Sequence, residues 1–147
     1  MKVTNLKLLA KSDKDLRVIA AHLQDSIILP KDIANLKKNR IFLIQLNRFM
    51  WEDVEKGVFR KNKRIRTMLK FDNVTSALSK NINIKNDKQF LDFLTLECNL
   101  LPDKSYEIKL IFSGNAIIKV IVEVIDVTLD DQGSPWESKT APKHNFL

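Results

Sequence analysis

The sequence predicts an α+β domain: a mainly antiparallel curved sheet or partly closed barrel with one N-terminal helix. Three observations lead there. A single segment near the N-terminus has helical periodicity, almost everything after it alternates with period two, and no second helix exists to carry a parallel crossover.

The helix comes first. Ser12 is placed to cap it, with Asp15 three residues on in the pattern of a capping box. Leu16, Ile19, Ala20, Leu23 and Ile27 recur at spacings that form one helical face, while Arg17, Ala21, Gln24 and Asp25 point away. Pro30 blocks any continuation, so the helix is expected at about residues 13–25.

From there the pattern is that of strands. Residues 32–36 read as a short strand, Lys37-Lys38-Asn39 as a turn, and residues 40–47 as a longer strand with Phe42, Ile44 and Leu46 inward and Arg40 and Arg48 at its ends. Residues 64–71 alternate cleanly: Ile65, Thr67, Leu69 and Phe71 share one side, and Arg66, Met68 and Lys70 the other. Asp72-Asn73 is a turn into a strand over 74–80, and residues 90–98 and 106–112 are further strands. The hairpin at Ser113-Gly114-Asn115 is the strongest local signal, because Gly and Asn tolerate positive φ and β-branched runs flank them.

Residues 116–129 read as one long strand. Ile118, Val120, Val122 and Val124 would form one apolar row, and Ile121, Ile125 and Val127 a second row on the side of Lys119. Such a strand must be covered on both faces, by this chain or by a second one. Residues 130–147, with Pro135 and Pro142 around Trp136, read as an ordered extended tail.

With 147 residues, the chain is expected to form a single domain over 1–147 that buries roughly two-thirds of its unfolded surface and needs no metal or disulfide to fold. One cysteine, Cys98, excludes an internal disulfide and suits a reducing compartment. The N-terminal apolar stretch is too short and too charged for a signal segment, and no run reaches membrane-spanning length, so a cytoplasmic location is expected. The net charge is +7, but six of the 25 basic residues (Lys56, Arg60, Lys61, Lys63, Arg64 and Arg66) lie within residues 56–66, which hold no acid. The remaining 19 face 18 acids, a net of +1, so the basicity belongs to one loop at about 56–64 and not to the whole surface.

Five stretches resemble a known family: Leu6-Lys7-Leu8-Leu9-Ala10, Ala21-His22-Leu23-Gln24-Asp25, Leu46-Asn47-Arg48-Phe49-Met50-Trp51-Glu52, Leu69-Lys70-Phe71-Asp72 and Pro135-Trp136. Together they are similar to domain of unknown function 2948, a family known mostly from alphaproteobacteria. Lys70 departs from the arginine expected there, which removes a bidentate donor. The resemblance implies a bacterial cytosolic protein of one domain with no established activity, and it carries no catalytic or ligand residue over.

Few residues point to chemistry. Two histidines, His22 and His144, and one cysteine cannot make the paired short spacings that zinc ligands use, and no cofactor is expected. His22 reads as a surface residue hydrogen-bonded to a neighbour, and Cys98 as a small buried hydrophobe beside Leu94 and Leu96. Gly57, Gly114 and Gly133 lie too far apart for a phosphate-binding loop.

Two constellations remain. His22, Gln24 and Asp25 end the helix, Asn47, Arg48, Trp51 and Glu52 end a strand, and Asp72 ends the next; together they form a candidate polar pocket or interface. The plainer reading pairs Arg48 with Asp25 or Glu52 and ties helix to sheet. Arg60, Lys61, Lys63, Arg64 and Arg66 are candidate polyanion contacts, with Phe59 available to stack; the plainer reading is a solvated loop.

The functional expectation is a non-enzymatic interaction domain that self-associates or docks a protein partner through a sheet face or edge. A nucleic-acid or anionic-surface binder using the basic loop is the alternative, and a small-ligand binder or enzyme at the polar pocket comes third. No membrane partner is expected.

Overall fold

The computed structural model describes residues 5–50, 63–83, 85 and 89–137. Its elements run β1 (Lys7–Ala10), α1 (Asp13–Leu23), β2 (Ile27–Ile28), a 3-10 turn (Pro30–Asp32), β3 (Ile33–Leu36), a second 3-10 turn (Lys37–Asn39), β4 (Ile41–Phe49), β5 (Lys63–Phe71), β6 (Val74–Lys80), β7 (Leu91–Leu100), β8 (Tyr106–Phe112), β9 (Ile117–Val122) and β10 (Val127–Glu137). All described pairings are antiparallel, in the order β1-β10-β5-β4-β2-β7-β8-β9-β6, with β3 on the edge of β4. Among the described residues the fold is therefore α+β with one N-terminal helix, and the ten-stranded sheet does not close into a barrel.

α1 begins as its sequence dictates. The Asp15 backbone N–H donates to Ser12 Oγ at 3.2 Å, and Asp15 Oδ2 accepts from the Lys11 N–H at 3.0 Å, one residue before the usual capping-box partner. Asp13 and Asp15 also place negative charge at the positive end of the helix dipole. The helix stops at Leu23, before Pro30 can act, because Asp25 adopts a left-handed φ of 63°. Its inward face is Leu16, Ile19 and Leu23, all at most 1% exposed. Ser12→Ala should lower the unfolding free energy by about 1 kcal/mol, read as a lower urea midpoint at unchanged slope.

β4 and β5 alternate as the sequence predicts. Phe42, Ile44 and Leu46 are buried, as are Ile65, Thr67, Leu69 and Phe71. Asn73, at φ 59°, turns β5 into β6, and Gly114 and Asn115, at 68° and 60°, make the β8–β9 turn.

The long strand expected over 116–129 is two strands. β9 pairs β8 and β6, residues 123–126 bend, and β10 pairs β1 and β5. The bend is tied to the β5–β6 corner: the Glu123 N–H donates to Asn73 O, the Asp72 N–H to Asp126 O, and Arg40 pairs with the Glu123 carboxylate. It shifts the phase of the alternation by one residue. Ile118, Val120 and Val122 point inward before it; Ile125, Val127 and Leu129 point inward after it. Val124, expected in the inner row, is 55% exposed, whereas Ile125 and Val127 belong to this chain's own core.

β10 also takes up the beginning of the expected tail, reaching Glu137 past a bulge between Gln132 and Trp136. Residues 138–147 of that tail lie outside the described residues. A second bulge, between Phe93 and Thr95 of β7, leaves Leu94 47% exposed, so Leu94 does not share the side of Leu96 and Cys98 as expected.

Candidate functional site

Arg48 is the inward residue after Leu46 on β4, and it is fully buried. Two neighbouring positions on the same face answer it: Thr67 of β5 and Asp131 of β10. Arg48 Nε donates to Asp131 Oδ1 at 3.1 Å and Nη2 to Oδ2 at 2.7 Å, a bidentate pair. Asp131 also accepts from Thr67 Oγ1 at 2.7 Å and from the Leu6 N–H at 2.9 Å. Burial pushes the Asp131 carboxyl up, but the Arg48 bonds and charge, with the Leu6 and Thr67 donors, outweigh it and hold the group below the ordinary carboxylate range. This network joins β1, β4, β5 and β10 beneath the apolar face.

The expected partners of Arg48 were Asp25 or Glu52. Asp131 is a partner the sequence reading missed; Glu52, with Trp51, lies outside the described residues. One signal was present: Val127, Leu129 and Asp131 continue a single alternating row, which puts an acid inward.

The outer face of the same strands holds a second network. Arg64, only 8% exposed, donates to the carbonyls of Asp25 at 3.1 Å and Asn47 at 3.2 Å, and its guanidinium lies 5.7 Å from the Phe49 ring centroid. Burial lowers its pKa against the pull of Asp25 and Asp92. Arg66 bonds Gln45 Oε1 and Asn47 Oδ1 and pairs with Asp32 at 3.1 Å. A phosphate at Arg64 or Arg66 would compete with these bonds. Lys63 is half-buried at the start of β5, and Arg60 and Lys61 lie outside the described residues.

Of the candidate pocket residues, Asn47 and Asp25 thus meet at Arg64, while Arg48 faces the opposite side of β4. Asp72 sits at the far end of β5, roughly 26 Å of strand from Arg64 at the usual rise per residue, and pairs with Lys70 at 3.6 Å. His22 closes the last turn of α1, at the edge of its buried face; its Nδ1 is buried with no hydrogen-bond partner among the described residues, where a hydrogen bond to a neighbour was expected. Gln24 lies just past that turn, on a groove between α1 and β7.

That groove, about 600 Å³, is lined by Asp13, Arg17 and Gln24 on one side and by 94–99 of β7 on the other. Cys98 lies in it, half-buried; burial and the charge of Asp13 push its thiol pKa up, the reverse of what a nucleophilic thiolate needs. Among the described residues no three of His, Cys, Asp and Glu are grouped as metal ligands would be, and no helix is long and apolar enough to cross a membrane.

The sheet is open between β3 and β6. β3 pairs only with β4, and β6 only with β9, so among the described residues each has an edge without a strand partner. At the start of β6 the Val74 N–H donates to the carbonyl of Arg40, at the corner between β3 and β4. The opening holds a cavity of about 160 Å³ lined by Ile33, Asn35, Phe42, Ala77, Ile82 and Ile118, and an adjoining one of about 310 Å³ towards Lys37 and Thr75.

Comparison with known proteins adds one match. The family model described as "Protein of unknown function (DUF2948)" covers residues 6–144. The chain belongs to this family. No curated protein and no solved structure matches it. Within this DUF2948 chain, two of the stretches that carry the resemblance lie on neighbouring strands: Leu46 to Phe49, with Arg48, on β4 and Leu69 to Phe71 on β5.

Proposed function

We propose that this DUF2948 chain is a non-enzymatic interaction domain that receives an extended segment of another protein in the cleft between β3 and β6. The observation that carries the reading is the pair of unpartnered strand edges facing each other across an apolar floor. An exposed edge offers a row of backbone donors and acceptors, and strand addition uses it for affinity while pockets beneath sort alternate side chains. β6 is exposed along nearly its whole length, and Leu78 at 64% and Leu36 at 41% add apolar surface on either side. A bacterial, cytoplasmic setting suits a chain with a single cysteine.

Among the described residues two further stretches lack a strand partner on one side: β1, which pairs only with β10, and residues 94–100 of β7, because β2 pairs with β7 only at Asp92 and Leu91. The β7 edge lies beside α1, and its groove is lined by Asp13, Arg17, Gln24, Glu97 and Asn99. A helix alongside an edge is a common way of guarding it, which favours the β3–β6 cleft as the receiving site.

The test is a selection of extended peptides from a random library against the full chain, repeated with Leu78→Lys. Leu78 is a surface residue, so the substitution should leave the unfolding free energy within about 0.5 kcal/mol of wild type. It should abolish capture of the selected peptides, because it replaces an apolar side chain lining both cavities with a charged one that the peptide's apolar residues cannot cover. Capture that survives Leu78→Lys would place the docking surface elsewhere.

A further inference from the structure

We infer that the segment received by the β3–β6 cleft is acidic, with apolar side chains directed at the floor and carboxylates at its two ends. The inference rests on the function proposed above and names its partner.

The cations stand at opposite ends of the cleft. Lys37 and Arg40 line the cavity shared with Val74 and Thr75, at the start of β6; Lys38 is beside them, exposed, in the same 3-10 turn. Ile33 lines the other cavity with Ser79 and Ile82, so β3 and β6 run in opposite directions and Lys80 lies at the far end. Arg40 is satisfied by Glu123, but Lys37, Lys38 and Lys80 are exposed and have no acidic partner among the described residues. No acid lines either cavity, and none occurs on β3 or β6. The nearest carboxylates are engaged: Glu123 by Arg40, Asp32 by Arg66 and Asp72 by Lys70.

An extended chain laid between the edges would bring each of its ends to a lysine that has no acidic partner among the described residues. Its middle would lie over Ile33, Phe42, Ala77 and Ile118, a mainly apolar lining that also includes Asn35 and Ser79 and favours apolar side chains. Lysines also guard edges against pairing with a second copy. The guarding role predicts self-association when they are neutralised, whereas the receiving role predicts loss of peptide.

The probe is the tightest peptide from the random library, synthesised with its Asp and Glu residues intact and again with each replaced by Asn or Gln. The acidic form should bind roughly tenfold more tightly, the combined effect of two or three exposed ion pairs, and the advantage should shrink as salt is added. The triple variant Lys37→Glu/Lys38→Glu/Lys80→Glu should remove that advantage; should it fold poorly, Lys37→Gln/Lys38→Gln/Lys80→Gln removes the charge without reversing it. Selected peptides without acid enrichment, still sensitive to Leu78→Lys, would overturn the acidic partner and leave the docking site standing. Peptides insensitive to Leu78→Lys would overturn the docking site itself. A wild-type chain that captures no peptide, with a neutralised variant that dimerises, would show that the lysines guard the edge, and would overturn the inference as well.

Discussion

Asp131→Ala should destabilise the protein by about 3–5 kcal/mol, because it leaves the Arg48 guanidinium buried without its carboxylate. Arg48 is fully buried, and the bidentate pair is its anchor to β10. The penalty lies mainly in breaking a bidentate bond between buried charges, so the double variant Arg48→Met/Asp131→Leu should recover most of the loss in a urea titration. A single variant with the wild-type midpoint would show that the network contributes little. The same pair sets a pH dependence. The Asp131 pKa is lower in the folded state than in the unfolded chain, so the carboxylate stabilises the fold fully above the unfolded value of about 3.9, and this contribution is lost as pH falls through the lower, folded value. Asp131→Asn should therefore be less stable than wild type at neutral pH and should lose less on acidification below about pH 4.

Val127→Lys should abolish cooperative folding. Val127 is fully buried, paired with Ala10 of β1 on one side and Phe71 of β5 on the other. Flanking strands leave a lysine there no route to solvent, and the cost of an unpaired buried charge is comparable to the 5–15 kcal/mol that holds a typical domain together. Were 116–129 one strand with Val127 on an exposed or interfacial face, the same substitution would give a folded monomer. Circular dichroism with a urea titration separates the two outcomes.

That contrast marks where sequence reasoning stopped. The helix was legible because Ser12, Asp15 and the Leu16–Ile19–Leu23 spacing are local, and β4 and β5 because each keeps one uninterrupted phase over nine residues. Around 123–126 the phase shifts by one residue with no Gly or Pro to mark it. A phase shift read as a continuous strand looks like burial on two faces, and hence like an interface. β1 and β2, of four and two residues, are too short to show any period. The Arg48–Asp131 pair spans 83 residues and exists only because β5 sits between β4 and β10, an order that no local signal specifies. The β3–β6 cleft is hidden for the same reason: an edge is defined by the pairing it lacks, which depends on the whole topology. The candidate polar residues were found as residue types at element ends, but which face of β4 each occupies had to come from the register.

The central claim is that β3 and β6 are receiving edges, and site-resolved amide hydrogen exchange tests it most directly. In the free protein, amides of Ile33–Leu36 and Val74–Lys80 that do not bond β4 or β9 should exchange quickly, since open edges leave them to solvent, apart from Ile33 and Val74, whose N–H groups bond Pro30 O and Arg40 O. With the selected peptide bound, those same amides should slow, while residues 94–100 of β7 remain as in the free protein. Unchanged exchange along β3 and β6, with slowing at 94–100, would contradict the account and move the docking site to the groove beside α1.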